Sequence, residues 1–276
     1  MAKLRKKVNK KQLVWISIAV LAAMALILLA VFLFMDSKEP ENLSYHPRPT
    51  EPPLQSYYTP EDFVLDENGF MTCLTQDYSI GIDVSFYQGD IDWQQVKDAG
   101  VEFVFIRVGR RGTTEGQLYL DELAHQNYAG AKEAGLKIGA YFFSQAITPK
   151  EAEEEAWFLL KEIADWELDL PVVYDWEWGG EGSRTTNLSP DILTQCNLSF
   201  CHVIYNAGFE PMIYFNEHQG LEQMDLEALK WYGYWLAMYD SPMRFPYQVD
   251  CWQYTQTGTV PGIEGNVDLN IYLHND

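Results

Sequence analysis

The amino-acid sequence predicts an α/β fold: an irregular (β/α) barrel, TIM-like, that follows an N-terminal transmembrane helix. Three observations lead to this prediction. One apolar segment near the N-terminus is long enough to cross a bilayer, eight shorter runs rich in β-branched and aromatic residues follow it, and amphipathic segments separate several of those runs. Strands that alternate with helices indicate a parallel sheet. Because no dinucleotide-binding glycine motif accompanies the runs, a barrel is favoured over a doubly wound sheet.

Residues 13–35 are the long apolar segment. They include no charged residue, and Ser17 is their only hydroxyl. At about 1.5 Å per residue they span a hydrocarbon core of roughly 30 Å. The basic side chains lie before this segment and acidic ones directly after it, so the positive-inside rule predicts residues 1–12 to be a cytoplasmic basic tail. The expected location is the cell membrane, with a single span and the rest of the chain outside; a cleavable signal peptide is the alternative.

Residues 36–78 have the composition of a stalk. Six prolines occur among polar residues: Pro40, Pro47, Pro49, Pro52, Pro53 and Pro60. Proline at this density favours an extended backbone, which predicts an extracellular Pro-rich stalk. Its end, Phe63 to Leu74, is more apolar and is a candidate for packing onto the domain that follows. Residues 79–276 are long enough to bury one core and are predicted to be a single domain.

The eight apolar runs of this domain are the candidate strands. They are Ile80–Ser85, Phe103–Gly109, Lys137–Ser144, Pro171–Trp178, Pro211–Asn216, Tyr234–Tyr239, Cys251–Thr255 and Val267–Tyr272. Candidate helices lie between several of them: Trp93–Ala99, Tyr119–Ala134 and Lys150–Ala164. The last three connections are too short for full helices, so the barrel is expected to be irregular on its C-terminal side.

Asp175 and Glu177 are the first candidate functional residues. They stand two residues apart at the end of an apolar run, so a strand would place both on one face. Two carboxylates a few Å apart cannot both ionise freely, and this coupling keeps one protonated as an acid. The pattern is typical of a site that hydrolyses glycosidic bonds. Two solvated acids on a loop are the alternative explanation.

Two further acids share the position of this pair at a strand end. Asp83 ends the first run and Asp268 lies in the last, each with apolar neighbours on the opposite face. Catalytic groups of barrel folds collect at the carboxyl ends of the strands. The four acids are therefore expected to meet at one end of the barrel.

Aromatic and amide side chains with the same orientation could complete a sugar-binding site. Aromatic rings stack on pyranose faces, while phenol and amide groups bind hydroxyl and acetamide groups. In single cases, however, aromatic residues of barrel strands more often belong to the core. The candidates for substrate binding are Tyr141, Phe143, Tyr214, Trp235 and Gln253.

Several ordered motifs resemble glycoside hydrolase family 25, the muramidase-type lysozymes. The resemblance covers roughly residues 79 to 274 and would make this chain a membrane-anchored member. The motifs are Gly81-Ile82-Asp83-Val84-Ser85, Gly139-Ala140-Tyr141-Phe142-Phe143, Leu170-Pro171-Val172-Val173-Tyr174-Asp175-Trp176-Glu177, Trp252-Gln253-Tyr254-Thr255 and Gly262-Ile263-Glu264-Gly265-Asn266-Val267-Asp268-Leu269-Asn270. The chain departs from the family pattern at Phe142, where many members have His, and around Arg107.

The resemblance implies a peptidoglycan hydrolase. Such an N-acetylmuramidase cuts the β-1,4 bond between N-acetylmuramic acid and N-acetylglucosamine with retention of configuration. Glu177 would be the general acid and base, and Asp175 would attack as a nucleophile or support the acetamide group of the substrate. Asp83 and Asp268 would hold the charge and the hydrogen bonds of the site.

Composition limits the possible partners. The formal net charge is −21, and six of the basic residues lie in the N-terminal tail, so the outer part is more acidic still. Such a charge repels nucleic acid, which leaves peptidoglycan glycan strands and, through residues 13–35, the membrane as expected partners. No cofactor or metal is expected, because the five histidines show no ligand-like spacing: His46, His125, His202, His218 and His274.

Two questions stay open at the level of sequence. Cys73, Cys196, Cys201 and Cys251 allow three disulfide pairings in an extracellular domain, although buried free thiols fit equally well. The function also has an alternative: a membrane-tethered cell-wall-binding protein without turnover, whose acids shape a groove.

Overall fold

The computed structural model describes residues 53–239 and 241–274, and a closed eight-stranded β-barrel stands at its centre. Eleven strands occur in these residues. They are β1 (Phe63–Leu65), β2 (Met71–Cys73), β3 (Tyr78–Val84), β4 (Phe103–Arg111), β5 (Leu118–Leu120), β6 (Lys137–Ser144), β7 (Val172–Trp176), β8 (Pro211–Asn216), β9 (Gly233–Ala237), β10 (Cys251–Gly258) and β11 (Val267–Leu273).

The barrel closes because β3 and β4, at the two ends of the strand order, also pair with each other. The order around the barrel is β3-β11-β10-β9-β8-β7-β6-β4. Neighbours are parallel from β3 through β4 and β6 to β10, whereas β11 is antiparallel to both β10 and β3. Closure leaves no free edge strand in the barrel itself. The end at which the parallel strands finish is called the mouth below.

Five α-helices lie in the described residues, and they connect only some of the strands. They are α1 (Trp93–Asp98), α2 (Ala124–Glu133), α3 (Pro149–Glu162), α4 (Pro190–Asn206) and α5 (Leu226–Leu229). The two longest begin in the same way, with a hydroxyl cap followed by proline. Thr148 accepts a hydrogen bond from the backbone of Glu151, and Ser189 accepts one from Ile192. The described residues between β9 and β10 and between β10 and β11 contain no helix.

The prediction of a TIM-like (β/α) barrel is therefore wrong. A TIM barrel has eight parallel strands, each followed by a helix, but here β11 is antiparallel and the helices are few. The physical reason is the length of the last connection. Residues 259–266 are enough for an antiparallel hairpin, whereas a parallel pair needs a crossover of about a dozen residues or more. The predicted helix Tyr119–Ala134 is also wrong at its start, because Leu118–Leu120 pairs with β4 instead.

Large aromatic side chains fill the barrel below the mouth. Phe103, Phe105 and Trp235 are almost fully buried, and the rings of Phe105 and Trp235 stack with centroids 4.6 Å apart. Glycines provide the room for them. A Cβ at Gly81 would lie 2.2 Å from the ring of Phe103, and one at Gly139 would lie 2.3 Å from Phe105. The interior is thus a packed core that supports whatever stands at the mouth.

The described part of the predicted stalk packs on the outside of the barrel. β1 and β2 form a hairpin in which the ring of Phe63 meets Trp252 edge to face, with centroids 5.2 Å apart. The backbone N–H of Met71 donates to the hydroxyl of Tyr254 at 3.1 Å. The predicted basic tail, the predicted transmembrane helix at 13–35 and the stalk up to residue 52 lie outside the described residues. Among the helices that the structure describes, none has the length and apolar character needed to span a bilayer.

Candidate active site

Asp83 and Asp268 face each other across two neighbouring strands at the mouth. They are directly opposite in the antiparallel pair of β3 and β11, and their carboxyl groups share a hydrogen bond. Oδ2 of Asp83 also accepts from Nε2 of Gln253 at 2.7 Å and from Nδ2 of Asn270 at 2.8 Å. Asp83 is only 5% exposed. Its position is therefore fixed by donors from β10 and β11.

Both carboxyl groups hold a proton more tightly than an exposed aspartate does. Burial raises the pKa of Asp83 to about 6, against the opposing effect of the two amide donors. Burial, and then the negative charge of Asp83, raise the pKa of Asp268 to about 8. Near neutral pH the pair therefore carries less than two negative charges.

Asp175 and Glu177 stand beside this pair. Asp175 lies in β7, opposite Phe143 of β6 and Tyr214 of β8, and is 5% exposed. Burial and the charge of Glu177 raise the pKa of Asp175 well above its usual range. Its Oδ1 is buried and has no hydrogen-bond partner among the described residues. A buried carboxylate oxygen without a donor is costly, and this one is free to accept a hydrogen bond from a bound molecule.

Glu177 lies just past the end of β7 and is more open than Asp175. Burial and then the charge of Asp83 raise its pKa, while the guanidinium of Arg107 acts in the opposite direction. A carboxyl group whose pKa is raised in this way can remain protonated closer to neutral pH. The four acids expected from the sequence to meet at one end of the barrel thus interact electrostatically there.

Gln253 connects the acids to two phenols. Its Oε1 accepts from the hydroxyl of Tyr214 at 2.8 Å and from that of Tyr239 at 2.5 Å, while its Nε2 donates to Asp83. Burial raises the pKa of Tyr214 well above its usual range, so the phenol stays a donor. The orientation of the Gln253 amide is therefore set on both sides.

The side chains of the other predicted binding residues are buried to different extents. Tyr141 is 7% exposed and Phe143 is half-buried at the end of β6. Trp235 is 1% exposed, and its Nε1 donates to Oδ1 of Asn270 at 2.8 Å. Since Asn270 in turn donates to Asp83, Trp235 supports the acids from below. A ring this deeply packed presents little surface to a sugar.

Arg107 was not predicted from the sequence as a site residue. It lies in β4 opposite Tyr141, and its charge lowers the pKa of Asp83, Asp175 and Glu177. Its Nε donates to Oδ2 of Asp121 at 2.9 Å. The signal was present in the sequence, because Arg107 continues the inward-facing positions of Phe103 and Phe105 in the same strand.

Two open aromatic side chains near the acids were also missed. Tyr87 follows the strand of Asp83 and is 75% exposed, and the guanidinium of Arg107 lies 5.3 Å from its ring centroid. Trp178 directly follows Glu177 and is 54% exposed. Exposed aromatic rings are suited to stack on sugar faces. Both lie just past a strand end, where the alternation that guided the prediction no longer applies.

The described residues offer no alternative centre for metal or disulfide chemistry. None of their His, Cys, Asp and Glu side chains form a group of three or more that could hold a metal ion. All four cysteines are buried free thiols, and burial raises the pKa of Cys201 and Cys251 well above the usual value. The thiols of Cys201 and Cys251 are therefore protonated and unreactive at neutral pH.

Comparisons with known proteins place the site in a sequence context. Residues 82–263 match the model of the family described as glycosyl hydrolases family 25. Lysozyme M1 of Streptomyces globisporus is 31% identical over 202 residues, which are 69% of this chain and 66% of that protein. The autolytic lysozyme of Clostridium acetobutylicum is 31% identical over 191 residues, 69% of this chain and 54% of that protein. The chain thus spans between about half and two thirds of these relatives.

A solved structure extends the similarity to three dimensions. The bacterial lysozyme from Streptomyces coelicolor superimposes with a TM-score of 0.57 and 28% identity, over 72% of this chain and 93% of that chain. Residues 82–263, which match the family model, include three of the four acids. The fourth, Asp268, pairs directly with Asp83. On this evidence the chain belongs to glycosyl hydrolases family 25.

Proposed function

We propose that this chain is a peptidoglycan hydrolase, an N-acetylmuramidase that cuts the β-1,4 bond between N-acetylmuramic acid and N-acetylglucosamine. The observation that carries the proposal is the coupling of Asp175 and Glu177. One is deeply buried with a free acceptor oxygen, and the other is more open with a raised pKa. Family membership and the lysozyme relatives support the same substrate class.

Glu177 is the proton donor in this proposal. Its carboxyl group transfers a proton to the glycosidic oxygen, which leaves as the 4-hydroxyl of N-acetylglucosamine. The raised pKa allows the acid form to exist at the pH of catalysis. In the second half of the reaction the same carboxylate takes a proton from the attacking water.

Asp175 assists on the muramic acid side. The free Oδ1 is suited to accept a hydrogen bond from the N–H of the 2-acetamido group, whose oxygen then attacks the anomeric carbon. Direct attack by Asp175 is the alternative, and both routes retain configuration. Asp83 and Asp268 hold the surrounding hydrogen bonds, and the charge of Asp83 helps to keep Glu177 protonated.

A wall-binding protein without turnover is the competing function, and one experiment separates the two. The full chain and its Glu177→Gln variant are incubated with purified insoluble peptidoglycan, and both the bound protein and the released soluble fragments are measured. The hydrolase predicts that both proteins sediment with the wall and that only the wild type releases fragments. Binding without release by the wild type would support the wall-binding protein.

The location of the chain stays a prediction from the sequence. The expected arrangement is a single span at residues 13–35 with the N-terminus in the cytoplasm and residues 79–276 outside the cell. Its test is protease accessibility in intact cells. An extracellular domain is cut by added protease before the cells are lysed, whereas a domain that becomes sensitive only after lysis would contradict the arrangement.

A further inference from the structure

The backbone of Glu177 lies past the last residue pairs that β7 makes with its neighbouring strands. β7 ends at Trp176, and its register ends at the pair Ser144 and Trp176 on the β6 side and at Asp175 and Tyr214 on the β8 side. The carbonyl groups of Trp176 and Glu177 therefore need partners other than neighbouring strands. Both partners turn out to be side-chain amides.

Gln145 binds the carbonyl of Glu177. It directly follows β6, its side chain is fully buried, and its Nε2 donates to the carbonyl oxygen of Glu177 at 2.5 Å and to that of Ser144 at 3.1 Å. The chain makes room for this contact. A Cβ at Gly179 would lie 2.4 Å from Oε1 of Gln145, so glycine at that position lets the segment after Glu177 approach the amide without displacing it.

Gln219 binds the preceding carbonyl from the other side of β7. Its Nε2 donates to the carbonyl oxygen of Trp176 at 3.2 Å, and its side chain is 3% exposed. Asn216 holds Gln219 in place through two hydrogen bonds. The backbone N–H of Asn216 donates to Oε1 of Gln219 at 3.0 Å, and that of Gln219 donates to Oδ1 of Asn216 at 2.9 Å.

The two glutamines together supply the hydrogen bonds that neighbouring strands would supply inside the sheet. β6 and β8 are the two neighbours of β7 in the barrel, and each supplies one buried amide just past its own end. Burial of an amide is costly when a polar atom stays unpaired, and Oε1 of Gln145 has no partner among the described residues.

We propose that Gln145 and Gln219, which we call the amide clamp, are positioning residues for Glu177. The clamp fixes the carbonyl groups of the two peptides on either side of the Cα of Glu177, so the carboxyl group of Glu177 stays at one position relative to Asp175. This inference rests on the proposed hydrolase function. A displacement of about 1 Å at a reacting group can cost on the order of 100-fold in rate.

Methionine is the test substitution, because it matches the length and volume of glutamine without its amide. In the full chain, Gln145→Met and Gln219→Met are each expected to lower kcat on soluble glycan strands by about 10- to 100-fold with KM nearly unchanged. Asn197→Leu is the matched control. Asn197 is fully buried in α4, its Nδ2 donates to the carbonyl of Leu193 at 2.9 Å, and its Oδ1 is unpartnered.

The control separates positioning from stability. Asn197→Leu is expected to lower the melting temperature while kcat stays within about 2-fold of the wild type. A second comparison uses the residual rate of Glu177→Gln. If the clamp acts through Glu177, adding Gln219→Met to that variant changes the residual rate little, because the carboxyl group that it positions is already absent.

The outcomes are distinct. Clamp variants that are folded and keep the wild-type kcat would overturn the inference, as would a clamp effect of equal size in the Glu177→Gln background. If Gln145→Met does not fold, Gln219→Met decides the question by the same criteria. A wild-type chain that releases no new reducing ends would instead overturn the proposed function.

Discussion

Nε2 of Gln253 lies 2.7 Å from Oδ2 of Asp83 and joins the end of β3 to β10 across the barrel mouth. The same side chain accepts hydrogen bonds from two phenols, so its amide cannot turn without breaking three contacts. Together with Asn270 it lowers the pKa of Asp83, against the larger effect of burial. The charge of Asp83 in turn raises the pKa of Glu177. Gln253 is therefore coupled to the proposed proton donor.

Gln253→Leu is predicted to lower hydrolysis by about 10-fold and to narrow the range of pH in which the enzyme works. Without this donor the pKa of Asp83 rises above about 6, and Asp83 is neutral at pH values where it was charged. The pKa of Glu177 then falls, since less negative charge stands beside it. The basic limb of the pH profile of kcat should move to lower pH.

Tyr239→Phe is the matched control for that change. It removes one donor to Gln253 and leaves the bond from Gln253 to Asp83 in place. The basic limb should therefore shift less in Tyr239→Phe than in Gln253→Leu. Equal shifts, or a shift to higher pH in Gln253→Leu, would show that Gln253 does not act through Asp83.

The stability of the folded domain is predicted to fall as the pH rises from about 5 to 8. Burial raises the pKa of Asp83, Glu155 and Asp268 to about 6, 7 and 8. Each group binds its proton more tightly in the folded than in the unfolded protein, so its stabilising contribution is lost as pH rises through the folded pKa. The three shifts together correspond to a loss of several kcal/mol, which is measurable by urea unfolding.

Asp268→Asn tests the origin of that loss. The amide cannot ionise, so the variant should show a flatter dependence of stability on pH, with the largest difference from the wild type near pH 8. A wild-type stability that rises between pH 5 and 8 would contradict the raised pKa values.

Arg107→Met is predicted to destabilise the domain by about 3 kcal/mol, because it leaves the buried carboxylate of Asp121 without its cation. The double variant Arg107→Met with Asp121→Asn should recover part of the loss, since the uncompensated charge is gone. Urea unfolding of the three proteins measures both effects. If the single and double variants are equally unstable, the ion pair is not the source of the loss.

Strand positions could be predicted from the sequence because alternation and β-branched residues report burial directly. All eight apolar runs are strands of the barrel, and Asp83, Asp175 and Asp268 occupy the faces that their parity indicated. Strand direction could not be predicted in this way, since alternation is the same in parallel and antiparallel strands. The TIM-like fold class failed for that reason at β11.

The residues that hold the acidic residues in place could not be predicted from the sequence, for a different reason. Gln145 and Gln219 follow strand ends, where the chain has no regular period and a glutamine has no evident role. Asn270 stands within a family motif in the sequence, but nothing there indicates that it links Trp235 to Asp83. Such contacts join residues far apart in the chain, and only the closed barrel brings them together.

Asp175 is predicted to support the acetamide group and not to form a covalent bond with the sugar. A thiazoline analogue of the cyclic intermediate formed from N-acetylmuramic acid, with sulfur in place of the acetamide oxygen, should then inhibit the wild type competitively and bind at least about 100-fold more tightly than N-acetylmuramic acid itself. Asp175→Ala should lose most of this preference, because the acceptor Oδ1 is gone. A glycosyl ester on Asp175, detected by intact mass, would establish direct attack instead.

The most direct test identifies the sugar at each new reducing end. Purified peptidoglycan is digested with the full chain or with Glu177→Gln, reduced with borohydride, hydrolysed and examined by mass spectrometry. The proposed bond specificity predicts reduced muramic acid from the wild type and at least about 100-fold less from Glu177→Gln. Reduced glucosamine from the wild type, or equal amounts of reduced muramic acid from both proteins, would contradict it.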